Sequence, residues 1–268
     1  MELDPRPDFQ QVFRVLAAGK VDYAVIPIEN TLAGSVHENY DHLLRFKLPI
    51  LAEARVRIVH NLIARPGVRF TQIRKVFSHP VALGQCRRFF EKYPHIQAES
   101  YYDTAGSVKM LMEQAPDGAA AIASAAAAGF YGAHILKRSI EDDRRNFTRF
   151  FLLARKAPAS GQPFHVSSRR RLGKNLKTSI VFATRNIPGA LFRCLSAFAL
   201  RDININKIES RPLRGRPWEY LFYLDFIGSI DEPRCRRALE HLAELTDLLQ
   251  VLGCYREAGA TPSKDRAS

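Results

Sequence analysis

The sequence predicts an α/β protein in two parts joined by a basic linker, and three observations carry that prediction. From residue 9 to about 155, strand-like apolar runs alternate with segments of helical period, as in layered α/β folds with largely parallel strands. Residues 158–174 hold Pro, Gly, Ser and Arg without periodicity. A strand–helix–strand–strand–helix–strand order then follows, a ferredoxin-like βαββαβ unit.

The elements follow in order. Val21 to Ile28 reads as a buried strand, and Val36 to Leu44 has helical character. Ile50 to Ile58 and Asn61 to Ala64 read as strands, and Lys75 to Phe77 as a short strand running into a helix from Pro80 to Lys92. In that helix Leu83, Cys86 and Phe90 recur at three- and four-residue steps. Gln97 to Tyr101 is a strand, Thr104 to Gln114 a helix, Ala119 to Ile122 a strand, Ala123 to Gly129 a helix and Phe150 to Ala154 a strand. Beyond the linker, Thr178 to Ala183 is a strand and Gly189 to Arg201 a helix with Leu191, Leu195 and Phe198 on one face. Ile203 to Arg211 is a strand, and Tyr220, Phe222, Leu224 and Phe226 alternate onto one face of the next. Glu232 to Leu245 is a helix and Leu248 to Tyr255 the last strand. Ala258 to Ser268 is small and polar, and is expected to fray.

Composition narrows the class. At 268 residues the chain is long enough for two cores. No apolar run approaches the roughly 18 residues that span a bilayer, and Met1 to Asp8 is acidic and proline-rich, unlike a secretory signal. Cys86, Cys194, Cys235 and Cys254 form no C-x-x-C pair and fit a reducing, cytoplasmic setting. His37 and His42 are five apart, on different helix faces, so no metal-ligand spacing is present. The net charge is +13, but Arg155, Lys156, Arg169, Arg170, Arg171, Lys174 and Lys177 lie together without an acidic neighbour; +13 less these seven leaves +6. A basic linker without a binding motif does not indicate nucleic acid. Steep salt-dependent DNA binding would mark that rival, and steering of an anionic small substrate is the other use of such charge.

The first part repeats one arrangement: a buried strand ends, a short polar residue follows, a helix begins. Asn30 and Thr31 follow Ile28, Ser78 follows Phe77, Thr104 follows the Tyr101 strand, and Ser124 follows Ile122. Strand C-termini are where open α/β sheets bind ligands, and helix starts favour carboxylates. The same residues are also ordinary N-caps, and both readings stand. Thr148 and Arg149, just before the last strand of this part, read locally as a strand start and a surface ion-pair partner. No nucleophile elbow, P-loop or G-x-G-x-x-G is present.

The strings Pro27-Ile28-Glu29-Asn30-Thr31, Gly34-Ser35-Val36, Arg65-Pro66-Gly67, Ser78-His79-Pro80, Ala82-Leu83, Gln85-Cys86, Asp103-Thr104-Ala105-Gly106, Ala121-Ile122-Ala123-Ser124 and Asn146 to Phe150 occur in order. Over roughly residues 9 to 256 this ordered set resembles the prephenate dehydratases. The second part is similar to the ACT regulatory domain of that family, through Pro188-Gly189-Ala190-Leu191 and Glu209-Ser210-Arg211-Pro212.

The resemblance implies a two-lobed, periplasmic-binding-protein-like catalytic domain over 1–155, a linker over 156–176, an ACT domain over 177–257 and a flexible tail over 258–268. It implies conversion of prephenate, a small dianion, to phenylpyruvate with loss of carbon dioxide and water, without a cofactor, since aromatisation drives the reaction. Thr148, Arg149 and Phe150 are then the catalytic candidates. Thr148 would serve the departing hydroxyl by hydrogen bonding or a relay, because threonine is a poor acid; Arg149 would grip a carboxylate or hold the loop. Asn30, Thr31, Ser78, Gln85, Thr104 and Ser124 would bind substrate, while Glu29, repelled by a dianion, would be structural. Asn186, Pro188, Gly189, Ala190, Leu191, Glu209, Ser210, Arg211 and Pro212 would bind L-phenylalanine between subunits of a homodimer or homotetramer, as a feedback inhibitor. Arogenate as substrate, or a non-catalytic amino-acid sensor, are the alternatives. The family has a first strand and a glycine-containing loop before the segment near Phe9. The expectation is that a form extended upstream is more stable and more active than this chain.

Overall fold

Alternating apolar residues and helix punctuation build the elements close to where the sequence places them. The structure, a computed structural model, describes residues 2–156, 175–213, 215 and 219–259. Most of the 156–176 segment, with Arg169 to Arg171 and Lys174, and the tail after residue 259 lie outside the described residues. By internal contacts the chain divides into two units, and among the described residues it passes between them at 29/30, 34/35, 55/56 and 148/149.

Residues 30–34 and 56–148 form one unit. Its strands are β4 (Asn61–Ala64), β5 (Lys75–Ser78), β6 (Gln97–Ser100), β7 (Ala119–Ala123) and β8 (His134–Lys137), in the order β6-β5-β7-β4-β8. Helices α3 (Pro80–Gly84), α4 (Arg87–Lys92), α5 (Thr104–Gln114) and α6 (Ala125–Tyr131) connect them. The sheet is mixed rather than largely parallel. β5 pairs parallel with β6 and β7, whereas β4 pairs antiparallel with β7 and β8. Helical crossovers link β5 to β6 and β6 to β7 and enforce parallel strands. Only a 3₁₀ turn, Phe70–Gln72, links β4 to β5, so no crossover fixes the direction of β4. β8, absent from the sequence reading, is half-buried at the sheet edge.

The expected helix over Pro80 to Lys92 breaks in two. Gln85 (ψ 1°) closes α3, and Cys86 (φ −126°, ψ 33°) precedes α4. The cause is distant in sequence: the Asp142 carboxylate accepts from the Arg87 and Arg88 amides at 2.8 and 3.1 Å, and the Asp142 amide donates to the Gln85 carbonyl at 2.8 Å. These bonds supply the N-terminal amides that a continuous helix would satisfy internally.

The other unit holds α1 (Phe9–Ala17), α2 (His37–Phe46) and most of β1 (Tyr23–Asn30), β3 (Ile50–Arg57) and β9 (Phe147–Ala154); with β2 (Gly34–Ser35), which the 34/35 boundary divides, these strands run in the order β2-β1-β9-β3. It also holds β10 (Leu176–Thr184), α7 (Ala190–Ala199), β11 (Ile205–Pro212), β12 (Tyr220–Ile227), α8 (Pro233–Leu245) and β13 (Leu248–Arg256), in the expected βαββαβ order. These last strands form an antiparallel sheet, β11-β12-β10-β13.

That sheet is covered on both faces. Ile180, Phe182, Leu224 and Phe226 pack beneath α7 and α8 with Phe198 and Leu242. Their odd-numbered neighbours Val181, Ala183, Leu221 and Tyr223 join a second core with Phe13, Ile26, Ile28, Phe151 and Leu153. Strand alternation therefore places Lys177, Ser179 and Asp225 on the same face as that second core.

β13 approaches β3 so closely that a Cβ on Gly253 would collide with the Ile50 carbonyl oxygen. Backbone must then move. Gly253→Ala is expected to cost about 2 kcal/mol and to lower Tm by about 5 °C in a thermal melt. A melt within about a degree of wild type would show that β13 moves away freely.

Candidate functional site

Seven of the nine catalytic and substrate-binding candidates fall in one unit: Asn30, Thr31, Ser78, Gln85, Thr104, Ser124 and Thr148. Asn30 organises the group. Its Oδ1 accepts from the Leu32 and Ala33 amides at 3.0 and 2.8 Å, which settles the orientation of its side-chain amide. Nδ2 then donates toward Asn146 Oδ1 (2.7 Å), Thr148 Oγ (3.0 Å) and the Phe147 carbonyl (3.2 Å). With Asn146 Oδ1 so occupied, Asn146 Nδ2 donates to Gln85 Oε1 at 2.8 Å. His60 Nε2 lies 2.8 Å from the same oxygen and is therefore its protonated donor.

The backbone at Leu32 and Ala33 thus sets the polarity of the whole chain of groups. Two ends remain available. Thr148 Oγ accepts from Asn30, leaving its own O–H without a partner among the described residues. Gln85 uses its oxygen inside the group, leaving its NH₂ without a partner among the described residues. Asn146 and His60 are buried and hold these ends in place.

The other candidates have different surroundings. Thr31 Oγ donates to the Arg145 carbonyl (2.8 Å) and accepts from the Phe147 amide (3.0 Å), fastening the segment before β9. Ser78 is fully buried and donates to the Ile122 carbonyl at 2.6 Å. Ser124 is exposed and caps α6 through the Ala127 amide, and Asp103 rather than Thr104 caps α5. Thr104 is half-buried at the first turn of α5. Among the described residues no group of three His, Cys, Asp or Glu side chains is arranged to hold a metal ion.

Arg149 and Phe150 belong to the other unit. Successive β9 residues face opposite ways, and Arg149 shares its face with Phe151, whose ring lies 4.8 Å beneath the guanidinium. Arg149 is 8% exposed. Its Nε donates to Glu53 Oε2 at 2.6 Å, Nη1 to Asp225 Oδ2 at 2.6 Å and Nη2 to the Tyr255 hydroxyl at 3.1 Å. Lys177 donates to Glu53 Oε1 at 2.9 Å, and Ser179 joins Asp225 to Tyr255. The two buried cations and two buried anions are partnered with one another, as buried charge requires, and the less buried Glu257 also lies 3.3 Å from Lys177. Burial opposes ionisation of Arg149, yet Asp225, Tyr255 and Glu53 raise its pKa. Burial would likewise raise Glu53, but Arg149 and Lys177 outweigh it and hold the carboxyl below its ordinary value.

The effector candidates occupy two segments of that same unit. Asn186, Pro188 and Gly189 are exposed, Gly189 at φ 77°, and Ala190 and Leu191 begin α7. Thr184 and Pro212 both pair with Tyr220, so these residues and β11 meet at one end of the sheet. Ser210 and Pro212 point outward; Glu209 and Arg211 alternate inward. Glu209 accepts from Ser35 at 2.6 Å and lies 3.1 Å from His37, while Arg211 pairs with Asp41 at 3.1 Å.

Sequence reasoning missed His60, Glu53, Lys177 and Asp225 as partners, and placed Asn146 in a motif without a role. A lone carboxylate in the apolar run around Glu53, and another in the aromatic strand around Asp225, were the legible signals. Nothing local marks His60.

The pair at Glu53 has a pH signature. A carboxyl lowered by folding contributes stability fully above its unfolded value of about 4.5 and loses it as pH falls through the lower folded value. Glu53→Gln is expected to cost about 3 kcal/mol or more at pH 7 and to flatten the fall of Tm below about pH 4.5. A parallel fall in variant and wild type would remove Glu53 from the acid response.

Comparison with known proteins bears on these groups. A family model described as prephenate dehydratase matches residues 1–158. Arogenate dehydratase/prephenate dehydratase 2 of Arabidopsis thaliana, named chloroplastic, is 42% identical over 95% of this chain and 66% of its own length. Arogenate dehydratase 2 of Petunia hybrida is 42% identical over 95% of this chain and 65% of its length. The chain spans just under two thirds of these curated relatives. Among solved structures, a prephenate dehydratase from Arthrobacter aurescens in complex with L-Phe aligns with TM-score 0.83 at 31% identity, covering 95% of this chain and 81% of that one. A protein described as GqqA, a novel type of quorum-quenching acylase, aligns with TM-score 0.83 at 30% identity, over 96% and 89%.

Proposed function

Because the chain belongs to the prephenate dehydratase family, we propose that it converts prephenate to phenylpyruvate, with the Thr148 hydroxyl serving the departing hydroxyl group. The observation that carries this is the directed set of hydrogen bonds from the Leu32 and Ala33 amides through Asn30 to Thr148. In the reaction the ring carboxylate leaves as carbon dioxide. Its bonding electrons enter the ring, the carbon–oxygen bond opposite breaks, and the hydroxide takes up one proton to leave as water. A leaving hydroxide needs a donor, and Thr148 O–H is a free donor beside an amide already spent on its oxygen. Threonine is too weak an acid for full proton transfer, so it acts by hydrogen bonding to the oxygen as charge develops, and the proton that completes the water comes from solvent.

The supporting groups are neutral amides and hydroxyls. Gln85 NH₂ offers a second donor, and Thr104, at the first turn of α5, suits a carboxylate. Thr31 holds the segment before β9. Ser78 and Ser124 shape the sheet end and the start of α6.

The division of the sequence into a catalytic part over 1–155 and an ACT part over 177–257 belongs to this same reading. The Arthrobacter aurescens relative binds L-Phe, and here Pro188 to Leu191 and Glu209 to Pro212 meet at one end of the β10–β13 sheet. L-phenylalanine bound there, at an interface of a homodimer or homotetramer, would inhibit. The unpaired cysteines suit a reducing compartment such as the cytoplasm. No helix among the described residues is long and apolar enough to cross a membrane.

Arogenate is the second substrate to be weighed, since the plant relatives carry that name. Incubation with each substrate, following phenylpyruvate from one and phenylalanine from the other, decides between them. Turnover of prephenate, suppressed by added L-phenylalanine, is expected. Thr148→Val is expected to lower kcat by about 10²–10³-fold with Tm within about 2 °C of wild type. Near-normal turnover in that variant would remove Thr148 from the chemistry, and no turnover of either substrate by the wild-type chain would overturn the function.

A further inference from the structure

At two of the four points where the described residues pass between units, a residue of the proposed reacting pair is bonded directly to a charged residue. Asn30 follows Glu29, and Arg149 follows Thr148. Each charged residue has its counter-ion on the βαββαβ module. Lys207 Nζ of β11 lies 3.0 Å from Glu29 Oε1, and Asp225 Oδ2 of β12 lies 2.6 Å from Arg149 Nη1. Glu29 and Arg149 also face each other at 3.8 Å, closing a line of four alternating charges, Lys207–Glu29–Arg149–Asp225.

Each end of the line is anchored. Lys207 also reaches Ser35 Oγ at 3.1 Å and Glu209 Oε2 at 3.5 Å, and Glu209 holds Ser35 and His37. Glu209 lies in the segment assigned to the effector. Burial would raise its pKa, but the hydrogen bonds from Ser35 and His37 and the charge of Lys207 keep it low and ionised. Asp225 is 6% exposed and also accepts from Ser179.

Arg149 has no bidentate face left for a substrate. Nε, Nη1 and Nη2 are each engaged, and the side chain is 9% exposed. Gripping a carboxylate would strip a buried anion of its partner, a large cost.

We propose that Lys207 and Asp225 are positioning residues for Asn30 and Thr148, acting through Glu29 and Arg149, and that an amino acid bound at the 186–191 and 209–212 segments alters turnover by shifting this line of charges. Asn30 and Thr148 are hydrogen-bonded to each other at 3.0 Å. A small displacement of either neighbouring residue changes where the Thr148 proton points, and misplacement of a donor costs rate rather than affinity. The proposal rests on the functional reading above and deepens it.

The test compares wild type, Lys207→Gln, Asp225→Asn and the charge-keeping Lys207→Arg as full chains. For each, kcat and KM are measured on prephenate and arogenate across a range of L-phenylalanine, and L-phenylalanine binding is measured by calorimetry. Lys207→Gln and Asp225→Asn are expected to lower kcat about tenfold with KM within about twofold. Their response to saturating L-phenylalanine should shrink by about fivefold or more although the amino acid still binds. Lys207→Arg restores both quantities. Lys207 is partly exposed and its replacement leaves the core intact, so that variant decides the matter even if Asp225→Asn fails to fold. Unchanged kcat and an undiminished response, in a wild-type-like chain that is active and binds phenylalanine, would overturn the proposal alone. A wild-type chain inactive on both substrates would remove the functional reading, and the proposal with it.

Discussion

The buried guanidinium of Arg149 is the constraint on which this structure depends. A cation so enclosed requires anions in fixed places, and Glu53 and Asp225 supply them from β3 and β12. Glu53 in turn holds Lys177 and the Ala258 amide, and Asp225 holds Ser179. The group therefore ties β3, β9, β10, β12 and β13 in a way that apolar packing, which is non-directional, does not. Val181, Tyr223, Phe151 and Leu153 supply the area around it. The charges set the register in which that area is buried.

Chemistry and restraint use different residue types on either side of one peptide bond. Thr148 and its partners Asn30, Asn146, Gln85 and His60 form a hydrogen-bonded set without a carboxylate, so no fixed anion within it would repel the dianionic substrate proposed for it. Arg149 and Glu29, each the immediate neighbour of a member of that set, carry the charge. A thr-arg pair within a strand is well suited to this division, since alternation sends the two side chains to opposite faces.

The sequence disclosed the helix Thr104 to Gln114 to the residue, the strand Asn61 to Ala64, and the βαββαβ order, because each rests on local period and punctuation. Motifs in order also singled out Asn30, Gln85 and Thr148, which the structure joins through Asn146 in one hydrogen-bonded set. What the sequence did not disclose depends on distant partners. The break at Gln85 is set by Asp142. The antiparallel course of β4 follows from the lack of a crossover. The surroundings of Arg149 are set by residues 96 and 76 positions away in sequence, Glu53 and Asp225. An arginine in a motif looks alike whether it faces substrate or core; single carboxylates within apolar strands are the sign that a buried cation exists.

The central claim is that the βαββαβ module holds the Asn30–Thr148 pair through Glu29 and Arg149. Hydrogen exchange of the full chain, read peptide by peptide with and without L-phenylalanine, tests it most directly. Exchange is predicted to change at residues 29–31 and 147–150 as well as at the proposed effector segments 186–191 and 209–212, and the change at those distant residues is predicted to vanish in Lys207→Gln while the proposed effector segments still respond. Protection confined to the proposed effector segments in the wild-type chain would contradict it.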